Sequence, residues 1–519
     1  MSLSSRLVLV CALLLIGCSG PNGMDDDAGP PEAPGDPPAE MDEPETTYPT
    51  EPARIVIDEE GDDWAPVPVR HSDPSGDGEA IDLGRLWVSH DAEHLFLRFE
   101  TGRTINLSEG NDLTLYLDTD NDTTTGRRTR GLGAELTWTF GERSGRVYAD
   151  GSSSEIGHAA IGLSALPTVR ASTFELALDR SARPVADTPL FAGDSIRVAL
   201  AGPEDQLPDG DGGLGYAFST ADLSPLPEAS LEKPDEGLRL LGFNVLQGRL
   251  FESEARGSYG RVLRNVNADV MGFSEVYDRS SQETADRVAT LTGTDGWHHA
   301  KLGLDLVAVS RYPIEETHAI PGYEDNRSGA FLLDAESALG SPLLLIVTHP
   351  PCCNYGDASP SRDARRQRVV DGIAAFLRDV KTGDGPFAVP ENTPIVIAGD
   401  MNFVGDPQQP TTLRTGEIVN NDAFGPSAAP DWDDSALLDT SPRQTGAPFH
   451  STWIDAESGF PPSRLDYVYV SDSVLEVVNE YVLRTNTLSS DRRTAFGVER
   501  TDTQMTSDHL PLVVDIVPR

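Results

Sequence analysis

Seven apolar runs, LRLLGFNVL, DVMGFSEV, DLVAVSRY, SPLLLIVTH, TPIVIAGDMN, RLDYVYVS and LPLVVDIV, recur between residues 238 and 517. Each is apolar at successive positions, so each reads as a strand covered on both faces. The stretches QETADRVATLTG and RDARRQRVVDGIAAFLRDV between them have helical character. Strands of this kind alternating with helices require an α/β architecture in which helices cover the sheets.

Polar residues sit where these runs end. Asn244, Glu275, His349, Asp400 with Asn402, and Asp508 with His509 each fall at a strand end or in the adjoining turn. Side chains from separate strands can converge there on one crevice. Any one of them alone is ordinary: an Asn forms turns, and a lone His satisfies hydrogen bonds.

In order, FNVLQ, SEV, SRYPI, VTH, GDMN, RLDYVYVS and SDHLP resemble the endonuclease/exonuclease/phosphatase superfamily, which includes DNase I-like nucleases and bacterial sphingomyelinases. The similarity spans residues 237–519 and implies a four-layer α/β sandwich with two packed β-sheets. It also implies a divalent-metal-dependent phosphodiesterase. Glu275 would be the principal ligand of Mg²⁺ or Mn²⁺, with Asn244 and Asp508 completing or supporting the site. Asp400 would orient or deprotonate the attacking water, and Asn402 would hydrogen-bond the phosphate or that water. His509, oriented by Asp466, would stabilise the phosphoryl oxygens, and His349 would be the general acid. Arg327 and Arg366 resemble positions that shape or brace the phosphate pocket, although surface solvation or helix pairing is the preferred reading of Arg366. His349 sets the chain apart from abasic-site endonucleases, which use a tyrosine there. Ser274 stands where the usual pattern has glutamine. These residue types suit the reaction independently: phosphodiester hydrolysis needs charge neutralised on phosphoryl oxygens, a water in line and a proton for the leaving oxygen.

Ahead of this domain lie further segments. Arg6 precedes the apolar run Leu7–Ile16, which has the length of a signal peptide and is too short to span a bilayer. Leu15-Ile16-Gly17-Cys18 resembles a bacterial lipoprotein box, which implies lipidation of Cys18 and an extracytoplasmic, membrane-anchored protein. Ser19 resembles the outer-membrane sorting signal of a Gram-negative cell. Residues 19–53, rich in Pro, Asp and Glu, form an acidic tether that cannot bury enough apolar surface to order itself.

Residues 54–222 carry short alternating segments, among them Leu95–Phe99, Leu113–Leu117 and Thr173–Leu178, which predict an antiparallel β-sandwich. The stretches LWVSHDAEHLFLRFET and LYLDTDNDTTTGRRTRGLGAELTWTF resemble modules related to family 9 carbohydrate-binding modules, which implies a carbohydrate ligand. Trp64, Trp87 and Trp138 then serve either as a sugar platform or as core. Asp118, Asp120 and Asp122 either converge on a structural Ca²⁺ or form a solvated acidic turn; Thr123 and Thr129 depart from an EF-hand. A Pro-rich linker, residues 223–236, closes the module.

The chain has 84 acidic against 40 basic residues. That balance opposes nonspecific binding to a phosphate backbone while leaving a local basic groove open. Extracellular nucleic acid and phospholipid headgroups both remain as substrates. A surface binding protein that keeps the fold without activity is the alternative, and it predicts loss of the polar set, which is complete here. Cys352 and Cys353 follow His349 closely; they form either a vicinal disulfide or two free thiols.

Overall fold

All seven apolar runs are strands in the computed structural model, which describes residues 52–149, 151–185, 188–219, 223–323, 327–353 and 361–519. The signal segment, Cys18 and the tether up to residue 51 lie outside the described residues. In the C-terminal region we number β1 (Leu238–Asn244), β2 (Val270–Ser274), β3 (His298–Leu302), β4 (Leu306–Ser310), β5 (Ile314–Ala319), β6 (Ser328–Leu333), β7 (Leu343–Thr348), β8 (Ile395–Asp400), β9 (Leu438–Thr440), β10 (Asp466–Val470), β11 (Leu475–Val482) and β12 (Leu512–Pro518). They form two six-stranded sheets, ordered β3-β4-β2-β1-β12-β11 and β5-β6-β7-β8-β10-β9. The pairs β1/β2 and β7/β8 are parallel, and the other neighbours are antiparallel.

Apolar residues on both faces of these strands explain the layering. Leu240, Phe331, Leu345, Val396 and Val514 belong to the core shared by the two sheets. Helices α1 (Arg256–Val266) and α2 (Ser281–Thr292) cover the first sheet through Val262, Leu263 and Val288. Helix α3 (Arg362–Thr382) covers the second through Val370, Ile373 and Leu377. The result is the four-layer α/β/β/α sandwich expected from the sequence. Local chemistry sets the helix ends: Ser280 and Glu283 form a capping box before α2, and Gly293 closes it in the left-handed conformation.

One glycine fixes the approach of the two central strands of the second sheet. Gly399 has φ of 148°, and a Cβ there would lie 2.0 Å from the carbonyl oxygen of Thr348. The absence of that atom lets the ends of β7 and β8 close up, where His349 follows β7 and Asp400 is the last residue of β8.

The N-terminal segments also become strands. His94–Ile105 pairs antiparallel with Arg85–His90 and Ala171–Asp179 in one sheet, and Thr114–Asp118 pairs with Leu136–Thr139 and Ser195–Ala201 in another. Leu97, Phe99, Leu115, Trp138, Phe174 and Val198 share the core of this β-sandwich. Trp64, Trp87 and Trp138 are all buried, so each serves as core and none forms a sugar platform. Trp64 and Trp87 pack with Ala447 and Phe449 of the C-terminal region, and residues 50–519 cluster as one unit.

The stretch 223–236 has no regular structure yet is held down along its length. Leu231 is buried under the first sheet, Lys233 reaches Asp269 at 2.5 Å, and the Arg239 guanidinium donates to the carbonyl of Leu231 at 3.2 Å. Arg239 also faces Asp515 across β1 and β12, and the two side chains form paired 2.7 Å hydrogen bonds away from solvent.

Candidate active site

The ends of β1, β2, β7, β8 and β10 bring the sequence-derived residues together. Asn244, the last residue of β1, donates through Nδ2 to Glu275 Oε1 at 3.2 Å and to Asp400 Oδ2 at 3.0 Å. Its Oδ1 accepts the N–H of Leu246, which fixes the side chain. Glu275 follows β2 with φ of 64°, a left-handed backbone unusual for a side chain of its size. Its Oε2 accepts the N–H of Gln247 at 2.6 Å.

Two histidines face Asp400. His349 Nδ1 lies 2.5 Å from Asp305 Oδ2, and its Nε2 lies 3.5 Å from Asp400 Oδ2 and 3.9 Å from Glu275 Oε1. His509 Nδ1 lies 2.8 Å from Asp466 Oδ2, and its Nε2 lies 3.6 Å from the same Asp400 oxygen. An ionised carboxylate only accepts hydrogen bonds, so Nδ1 carries the proton on both rings. Each ring therefore exchanges its proton with the site through Nε2.

Electrostatics follow from this geometry. Burial pushes both imidazoles toward neutrality, but the facing carboxylates outweigh it. His349 is raised above the usual histidine range by its bond to Asp305 and the charges of Asp400 and Glu275. His509 is raised to about 10 by Asp466 and Asp400. Burial, with help from Asp466, raises the Asp400 carboxyl to about 6, against the opposing effect of the two histidines and Asn244.

Supporting contacts hold each group. Thr452 donates its hydroxyl to Asp466 Oδ2 at 2.7 Å, and Asn402 donates through Nδ2 to the carbonyl of Pro350 at 3.1 Å. Asp508 accepts from the Trp453 indole at 2.9 Å and from the Ser507 hydroxyl at 3.3 Å. Among the described residues no hydrogen bond joins Asp508 to Glu275 or Asn244. Arg327 gives its carbonyl to the N–H of His349 at 2.9 Å, and its charge acts on Asp305. Arg366 is fully buried and donates to Asp363, Gln409 and the carbonyl of Pro351, so it braces the loop after His349 and is not a solvated surface residue. Cys352 and Cys353 are joined by a disulfide.

Sequence reasoning missed Asp305, Thr452 and Trp453. Asp305 opens the run DLVAVSRY, where an acid before a buried strand was the available signal; Thr452 and Trp453 lie outside every run singled out.

Glu275 and Asp400 offer carboxylate oxygens of the kind a hard divalent cation takes, while the Asn244 Oδ1 is occupied by the N–H of Leu246. Both carboxylates accept from the Asn244 Nδ2, Glu275 also accepts the N–H of Gln247 and Asp400 that of Asn402, and Asp400, Asp466 and His509 bring ligand atoms within 4.8 Å of one another, so donors suited to such an ion are present.

At the predicted Asp118 turn of the N-terminal sandwich, the carboxylates that come within 4.8 Å of one another are Asp118, Asp120 and Glu135. Asp122 is not in that group, because its carboxylate accepts the N–H and hydroxyl of Thr124 at 2.8 and 2.6 Å.

A model described as the Endonuclease/Exonuclease/phosphatase family matches residues 243–509. No curated protein sequence matches the chain. Among solved structures, sphingomyelinase C from Streptomyces griseocarneus is 16% identical, with 54% of this chain and 99% of that one covered at a TM-score of 0.34. Beta toxin from Staphylococcus aureus is 17% identical, with 53% and 99% covered at 0.32. A truncated TDP2 from Caenorhabditis elegans is 13% identical, with 54% and 97% covered at 0.34.

Proposed function

The chain belongs to the Endonuclease/Exonuclease/phosphatase family, whose match takes in residues 243–509, just over half of its length, and from that premise we propose that this phosphoesterase is a divalent-metal-dependent phosphodiester hydrolase. The observation that carries the reading is the pair of carboxylate-backed imidazoles whose Nε2 atoms lie 3.5 and 3.6 Å from one oxygen of Asp400.

In this reading Glu275 and Asn244 would hold Mg²⁺ or Mn²⁺, with Asp508 supporting from the neighbouring turn. When bound, the cation would neutralise charge on a phosphoryl oxygen. The chain's own groups do the rest. Asp400, raised toward neutrality, accepts the proton of the attacking water. The imidazolium of His349 gives its Nε2 proton to the leaving oxygen, while Asp305 holds the Nδ1–H and balances the ring's charge. His509 Nε2–H hydrogen-bonds the phosphoryl oxygens, and Asp466 balances its charge. Asn402, held by Pro350, orients the water or the phosphate.

The same proposal places the enzyme outside the cytoplasm, exported by residues 1–18 and anchored through a lipid on Cys18, with extracellular nucleic acid or phospholipid headgroups as substrates. Its support is the apolar run before Gly17-Cys18. Replacing Cys18 by Ser should release the protein from the membrane fraction.

The reaction is tested with plasmid DNA, RNA, sphingomyelin and an aryl phosphodiester, each with Mg²⁺ and with a chelator. Wild type should turn over at least one of them only with the metal, and His349→Ala and Glu275→Gln should lose that activity. Variants that keep wild-type turnover would refute the assigned site, and a wild type inert on every substrate would refute the reaction.

A further inference from the structure

The β-sandwich meets the C-terminal domain at the loops that carry the polar site. Ile57 donates its N–H to the carbonyl of Pro448 at 2.9 Å and accepts the N–H of His450 at 3.1 Å. His450 lies two residues before Thr452, whose hydroxyl holds Asp466. Asn106 Nδ2 donates to the carbonyl of Val404 at 3.2 Å, and the N–H of Arg170 donates to the carbonyl of Gly405 at 2.8 Å. Those two carbonyls stand in the segment that leaves Asn402. Finally, the N–H of Arg464, two residues before Asp466, donates to Thr168 Oγ1 at 3.0 Å.

Three separate catalytic segments are thus gripped from one side by one module. An apolar seam of Ile55, Ile57, Trp64 and Trp87 against Ala447 and Phe449 keeps water from competing for the Ile57 bonds. The Arg464 side chain repeats the arrangement: buried, it donates to Asp439 at 2.6 Å and to the carbonyl of Thr440 at 2.9 Å, and it faces Glu59 of the N-terminal module at 3.8 Å. A module that merely delivered the enzyme to a ligand would need no contact with segments 402–405, 448–452 and 464–466. Small displacements of catalytic groups cost large factors in rate, so a grip at these points acts on turnover.

We propose that the β-sandwich is a positioning element of the active site, with Thr168 and Asn106 as positioning residues for Asp466 and Asn402. The proposal rests on the phosphodiesterase reading for its effect on rate, while the grip itself is independent of it.

The test uses the full chain with Thr168→Val and Asn106→Ala combined, and Thr168→Ser as the conservative control. The double variant should lose about tenfold in kcat with KM and melting temperature little changed, and Thr168→Ser should keep wild-type kcat. Amide hydrogen exchange should accelerate in peptides covering residues 402–406 and 461–466 and stay unchanged in the helices of the far layer. Unchanged exchange in those two peptides, or a kcat that falls only in step with the folded fraction, would overturn the proposal. Should wild type hydrolyse no phosphodiester, the exchange result still decides the grip, and only the reading of the reaction fails.

Discussion

His349 Nδ1 lies 2.5 Å from Oδ2 of Asp305, and that same oxygen accepts the N–H of Glu275 at 3.1 Å. One buried carboxylate therefore sets both the tautomer of the candidate general acid and the backbone of the candidate metal ligand. It is held below the usual carboxylate range because His349 offsets the cost of its burial.

Replacing Asp305 by Asn removes this charge and lets the ring choose the other tautomer. The expected outcome is a drop in kcat of about 10- to 100-fold, read on an aryl phosphodiester at saturating Mg²⁺. A kcat equal to that of wild type would show that Asp305 does not orient His349.

How much of this was legible in the sequence depends on the distance over which each residue acts. Seven of the twelve strands were readable, because burial on two faces leaves an unbroken apolar run, whereas β3, β5, β6, β9 and β11 lay outside those runs. Asn244, Glu275, His349, Asp400 and His509 were readable as the polar ends of those runs. Asp305 was not, since its partner lies 44 residues away and no local pattern links an acid to a histidine on another strand. Glu135 displaced Asp122 from the acidic group for a similar reason: β-pairing across a hairpin brought it to Asp118, whereas Asp122 turned back onto its own loop. The seam at Phe449 was equally hidden, because nothing in an isolated Trp64 or Trp87 says which surface will bury it.

Glu175 gives a pH signature. Its carboxyl is buried in the sandwich and raised to about 9, by burial first and then by Asp58 and Asp63. The unfolded chain releases this proton near pH 4.5, but the native state keeps it until about pH 9. Stability linked to Glu175 is thus complete below about pH 4.5 and declines as pH rises toward 9. Glu175→Gln should stabilise the protein, by at most roughly 3 kcal/mol at pH 7 and roughly 5 kcal/mol at pH 8, and give little change near pH 4. Urea denaturation at the two pH values checks this; an equal effect at both would show that the charge is not the cause.

Arg239 and Asp515 form a buried pair with relative side-chain exposures of 0% and 3%. Removing one partner leaves the other charge without compensation, so Asp515→Asn should cost about 3–5 kcal/mol. Asn479, which also donates to Asp515 at 2.8 Å, loses its charged acceptor in the same variant. Replacing both Arg239 and Asp515 by apolar residues should cost less than the single change, and chemical denaturation of the three proteins measures the difference.

The loop after His349 supplies the last prediction. Its backbone is fixed by two donors, Asn402 to the carbonyl of Pro350 at 3.1 Å and Arg366 to that of Pro351 at 3.0 Å. The Cys352–Cys353 disulfide comes next in the chain, and neither sulfur takes part in the hydrogen bonds of Asp305, Asp400 or the two histidines. The cysteines should therefore brace the rim without entering the chemistry. Peptide mapping without reductant should find the peptide lighter by two hydrogens than its reduced form. A Cys352→Ser, Cys353→Ser double variant should keep kcat within about threefold of wild type, because the donors that hold Pro350 and Pro351 remain. A loss comparable to that of His349→Ala would instead assign the sulfurs a part in the reaction.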